Sequence, residues 1–124
     1  MKNFLLLIAF AVTLQGVSQE LPDASPRSIV KQRVGLTDIE LNYSRPSVKG
    51  REIFGGLIPF GKHWRLGANK NSTISFSTDA RFGRESIPAG TYSITAIVNE
   101  EHWTIRLNSK NDMWGVGDGY NPRL

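Results

Sequence analysis

No cysteine occurs in the 124 residues, which excludes disulfide staples, thiolate metal sites and a thiol for nucleophilic catalysis or lipid attachment. Histidine is nearly as scarce, present only at His63 and His102. A metal centre would need two or three further ligands, and the acids Asp38, Glu40, Asp79 and Glu85 are scattered singly, so neither a metal nor a cofactor is expected. Asn108, Asn111, Asp112 and Asp118 make an oxygen-rich stretch without calcium-loop spacing, and turns require such residues anyway. Helical periodicity is missing too. Beyond the N-terminal segment, no window of about 12 residues sets apolar positions at i, i+3, i+4 and i+7 behind a helix cap. Internal repeats and low-complexity tracts are absent.

The single long apolar run lies at the N-terminus, from Phe4 to Leu14, preceded by Lys2. Its 11 residues fall well short of the roughly 20 needed to span a bilayer. Gly16 and Ser18 stand at the −3 and −1 positions of a cleavage site, so residues 1–18 read as a signal peptide cut after Ser18. The mature chain is then expected to be periplasmic or secreted, with no transmembrane segment. An arm over 19–27, rich in proline, should lead into one domain over 28–124; its size suits a single core that buries roughly 60–70% of the unfolded surface. Without the leader the net charge is +3, while residues 45–69 alone hold five basic and one acidic residue, leaving the remainder near −1. Charge confined in this way suggests a local anion site. Export argues against nucleic acid as a partner.

Strand signals fill the rest. Ser28–Val34 places Val30 and Val34 on one face and Lys31 and Arg33 on the other, and Asp38–Ser44 turns Ile39, Leu41 and Tyr43 inward after a turn at Gly35. Thr73–Thr78 alternates through Ile74 and Phe76. Ala80–Ile87 is weaker and turns around Gly83. Pro88-Ala89-Gly90 launches Tyr92–Val98, and Trp103, Ile105 and Leu107 mark a last strand. Short strands with one apolar face each predict an all-β fold, a single antiparallel β-sandwich or jelly-roll-like domain, with a barrel as the second choice. The tail 108–124 is loop-like and lacks an apolar strand to pack back, so we expect a chain truncated at its C-terminus.

Between two ordinary strands, Arg45–Asn69 combines five Gly, two Pro, three aromatics and a His with its cations. Connections this long are uncommon unless functional or disordered, and Phe54, Leu57, Ile58 and Phe60 argue against disorder. Gly56–His63 imitates a phosphate-binding P-loop, but His63 stands where Ser or Thr must hold Mg²⁺, and no helix start follows. An anion site can be made more simply. Gly55-Gly56 would form a nest of N–H groups, with Arg45, Lys49, Arg51, Lys62 and Arg65 as charged donors, Asn69 as an oriented amide and Trp64 as a stacking platform. The structural reading of the same residues is that Trp64, Phe54 and Phe60 plug one end of the domain with solvated cations around them; both can hold. Catalysis has less support: no G-x-S-x-G frames a serine, no pair of carboxylates faces the loop, and only His63 as a general base beside Arg65 can be sketched.

The segments YSRPSVKGREIFGGLIPFGKHWRLGAN, TISFSTD, IPAGTYSI, a W-T-I-x-L-N strand and a late W-G closely resemble the DUF2911 family of exported bacterial proteins, common in Bacteroidetes. The resemblance runs from about Ala24 to Tyr120, nearly all of the mature chain. It implies a β-rich domain behind a signal peptide, usually continued by at least one more strand. Signature positions fall at Arg45, Pro46, Lys49, Gly50, Arg51, Phe54, Gly55, Gly56, Gly61, Trp64, Arg65, Gly67, Ala68 and Asn69, with no catalytic assignment attached. The expected function is an exported module that binds an anionic or polar small ligand, such as a saccharide or envelope glycan, through Arg45–Asn69. The alternatives are an accessory protein-interaction module of the envelope and a hydrolase or isomerase that uses His63.

Overall fold

A computed structural model describes residues 20–116. The expected signal peptide, the cleavage site and residues 117–124 lie outside the described residues. Among the described residues eight strands occur: β1 (Arg27–Val34), β2 (Thr37–Ser44), β3 (His63–Trp64), β4 (Thr73–Phe76), β5 (Ala80–Phe82), β6 (Glu85–Ile87), β7 (Gly90–Val98) and β8 (Trp103–Asn108). All strand pairings are antiparallel, and the sheet does not close into a barrel. The fold is all-β, as the alternation of side chains requires. No helix among the described residues is long and apolar enough to cross a membrane.

Six strands form one sheet. β1 pairs β2, β2 pairs β4 and β4 pairs the N-terminal half of β7. β8 runs along one edge of β7 over Ser93–Val98. β4 and β3 must share the opposite edge: β4 stands opposite Gly90–Ser93 and β3 opposite Ala96 and Ile97. They lie end to end. The eight residues 65–72 between them therefore face only two residues of β7, Ile94 and Thr95, and Ser72 accepts the Ile94 N–H at 3.0 Å. The two-residue β3, inside the segment expected to be loop, is a pairing that no local pattern signals.

One face of this sheet is apolar. The register carries Leu41 opposite Ile74, Ile74 opposite Tyr92, and Ile94 opposite Leu107, so these side chains share a side. The weak segment at 80–87 is the separate hairpin β5–β6, turned by Gly83 at φ 64 and Arg84. Its Ala80, Phe82 and Ile87 pack on a cluster of Ile74, Phe76 and Ile94. A second cluster, Ile58, Ala96 and Val98, is covered by Ile53 and Trp64 from the long loop. Leu66 touches both clusters, so the excursion 65–72 joins the two halves of the core. β1 lies beyond this cover, which leaves Val30 48% and Val34 59% exposed on their predicted face. On the polar side, Arg33 grips Asp38 with two bonds of 2.7 Å and Lys31 meets Glu40 at 2.9 Å.

The expectation that the tail cannot pack back fails for its described part. Met113 is buried, Asn71 N–H donates to Met113 O at 3.0 Å, and Lys70 bridges Trp114. Backbone pairing with Lys70 and Asn71, helped by the Asn71 side chain, rather than an apolar strand holds the segment down.

Candidate functional site

The site begins where β2 ends. Arg45 N–H donates to Pro26 O at 2.9 Å, which draws the arm beside the start of the loop and brings Ala24 and Ser25 to its edge. Val48 O then accepts the Arg51 N–H at 3.1 Å across Lys49 and Gly50, whose φ values of 51 and 68 form a tight left-handed turn. From 52 to 58 the chain curls on itself, with Leu57 N–H donating to Glu52 O at 3.0 Å and Ile58 N–H to Ile53 O at 2.8 Å. This curl delivers Ile58 to the core. β3 follows and docks on β7, and Leu66 enters the left-handed region at φ 54. That backbone costs a non-glycine residue about 1–2 kcal/mol; the apolar contacts of Leu66 and the Ser72 Oγ–H donated to its carbonyl at 3.0 Å offset it.

These segments enclose an open cleft of about 850 Å³. Of the residues expected to bind, Arg45, Lys49, Arg51, His63, Trp64 and Arg65 line it, whereas Gly55, Gly56, Lys62 and Asn69 lie outside. Tyr43, Ser44, Ile53, Leu57, Ile58 and Leu66 also contribute. No carboxylate appears in the lining, and Arg65 Nε is buried without a hydrogen-bond partner among the described residues. A buried donor left unmade is costly, so an acceptor supplied at this position would be favourable.

Several expected roles change. Gly55 N–H is already donated to Ile58 O at 2.9 Å, so the Gly55-Gly56 pair is not an anion nest. The Phe60 ring covers Gly55, where an added Cβ would lie 2.9 Å from it, and the Glu52 carbonyl would lie 2.6 Å from a Cβ on Gly56. Packing accounts for both glycines. Arg51 donates from Nε to Val48 O at 3.0 Å and from Nη2 to Ser47 O at 2.7 Å, so its guanidinium braces its own turn. Trp64 meets Phe54 and Trp103 edge to face, with centroids 5.9 Å away in each case, and packs on Ile58, Ala96 and Val98. The plug reading holds for its ring, which borders the cleft instead of offering it a free platform.

His63 and Trp64 are strand neighbours and project to opposite faces. Both residues border the cleft, but their side chains leave β3 on opposite sides and do not converge on one ligand. Arg106 Nη1 lies 3.4 Å from His63 Nε2. Burial, and then the charge of Arg106, hold the imidazole below its ordinary range.

Sequence reasoning missed Tyr43 and Ser25 as parts of the site, which come from a strand end and the arm. It also missed Asn71, 2% exposed, whose Oδ1 accepts the Met113 N–H at 2.9 Å and whose Nδ2 donates to Asn111 O at 3.0 Å. This clamp brings Gly115 against Arg65 and Val116 to the cleft. Asparagine in a turn-rich stretch gives no signal of burial.

Residues 25–123 match the family described as "Protein of unknown function (DUF2911)". The chain belongs to the DUF2911 family. The match covers the cleft-forming loop, both flanking strands and the clamp of this DUF2911 protein. No curated protein and no solved structure matches the chain.

Proposed function

We propose that this DUF2911 protein is an exported module that binds an anionic or polar small ligand in the cleft between the end of β2 and the excursion 65–72. The observation that carries the reading is the lining: four cationic side chains, Arg45, Lys49, Arg51 and Arg65, with no carboxylate beside them among the described residues. Like charges gathered without counter-charges in a concave surface raise the local concentration of an anion and strengthen each donor towards it. The unpartnered Arg65 Nε supports the same reading.

The test is thermal unfolding of the protein with acidic and neutral sugars, phosphate, sulfate and carboxylates at low and moderate salt. A ligand at ~100 times its dissociation constant adds about 2.7 kcal/mol, a readily measured shift in so small a domain. The shift should weaken with salt and shrink in Arg45→Ala, whose side chain is exposed, while Lys62→Ala, outside the cleft, should keep it. Loss in neither variant would sink the proposal.

A second reading, an accessory module that binds another envelope protein, is favoured by a different surface. Phe54, Phe60, Trp103 and Ile105 are 38–44% exposed, and Phe54 and Trp103 touch with centroids 4.9 Å apart. A partner captured by the protein and lost in Trp103→Ser would support it. Nothing in the geometry favours a hydrolase built on His63, whose ring faces Arg106.

A further inference from the structure

Resting on the anion-binding reading above, we infer that the cleft takes an amphiphilic anion, an acidic head group on a hydrocarbon body, in preference to a sugar. The lining has two chemical parts. Arg45, Lys49 and Arg65 supply donors, whereas the side chains of Ile53, Leu57, Ile58 and Leu66 supply aliphatic surface that makes no hydrogen bonds. The aliphatic group comes mainly from the curl 52–58, and two of the cations come from the segment just after β2, so the chain presents the two chemistries from separate arms of one loop.

A sugar requires something else. Its hydroxyls are donors as well as acceptors, and a protein meets them with carboxylates and amides that accept. Among the described residues the lining holds no Asp, Glu, Asn or Gln. A sugar ring also favours an open aromatic face, and Trp64 is packed against Phe54, Trp103 and the Ile58 cluster, which leaves Tyr43 as the other large aromatic ring in the lining. A hydrocarbon body asks only for aliphatic contact. Leu57, 56% exposed, is an apolar side chain at the cleft that such a body would cover. A cleft of about 850 Å³ lies within the range of small-molecule sites, roughly 300–1,000 Å³.

Isothermal titration of the full chain with butanoate, octanoate, octanol, glucuronate and inorganic phosphate separates the possibilities. Affinity should rise about fourfold for each methylene buried, roughly two orders of magnitude from butanoate to octanoate. Leu57→Ser should flatten that rise, lowering octanoate affinity far more than phosphate affinity, and Arg45→Ala should weaken every acid. Glucuronate or phosphate binding as tightly as octanoate would overturn the amphiphile and leave the anion site standing. Octanol matching octanoate would overturn it as well, because charge would then play no part. If no acid bound, both readings would fall together. Vesicles of neutral lipid with and without phosphatidate identify the source: sedimentation with phosphatidate, competed by octanoate, assigns a bilayer lipid head group, and octanoate binding without sedimentation assigns a free amphiphile.

Discussion

Asn71 holds Met113 from both sides of the peptide: its Oδ1 accepts the Met113 N–H at 2.9 Å, and its own N–H donates to Met113 O at 3.0 Å. Because the amide is buried, its loss leaves the Met113 N–H without an acceptor in a place water does not reach. Asn71→Ala should cost roughly 1–3 kcal/mol in denaturant unfolding and speed exchange of the Met113 amide. A variant of unchanged stability would show that the Asn71 amide contributes nothing to holding residues 111–116.

Gly67 approaches the end of β2 more closely than any side chain allows. A Cβ built there lies 2.8 Å from the Ser44 carbonyl oxygen and 3.1 Å from Ser72 Oγ. Gly67→Ala must push the excursion away from β2, at about 1–3 kcal/mol for overpacking. Ser44 and Gly67 both line the cleft, so titration should show weaker anion binding at temperatures where the variant remains folded.

The aromatic trio should be energetically unequal. Trp64 packs on the core cluster while Trp103 remains 44% exposed. Trp64→Ala should cost about 3 kcal/mol or more, and Trp103→Ala less than half as much. Equal costs in chemical denaturation would mean that the ring contacts, rather than burial on Ile58 and Val98, hold this end together.

Stability should depend on pH through His63. Its folded-state imidazole titrates below the ordinary value of 6.5, through burial first and Arg106 second. As pH falls past that value the unfolded chain takes up the proton before the folded one, so stability, complete above about 6.5, declines until the folded ring also protonates. His63→Gln should flatten denaturant midpoints between pH 7.5 and 5. A wild-type midpoint constant over that interval would contradict the assignment.

The strands were legible where one face alternates for several residues. Ile39 and Leu41, or Tyr92 through Val98, declare their inward side without help from the rest of the chain. β3 was not, because two residues carry no period and their pairing is imposed by Ala96 and Ile97 from far along the sequence. The cations of the loop were visible as a group, but their directions were not: Arg51 turns back to its own carbonyls, and Lys62 leaves the cleft altogether. Gly55 and Gly56 looked like an anion nest because a glycine required by a close ring or carbonyl has the same sequence signature as one required by a ligand.

The end-to-end arrangement of β3 and β4 amounts to one long strand interrupted by an oversized bulge, eight residues standing where two would suffice. The pairing on either side is fixed by β7, and the interruption carries Arg65, Leu66, Gly67 and Asn71. The clamp and one wall of the cleft therefore reside in an insertion, while the other walls come from the end of β2 and the loop that follows it. A change in the length of 65–72 would therefore reshape one wall of the pocket and leave the pairing of β3 and β4 with β7 in register.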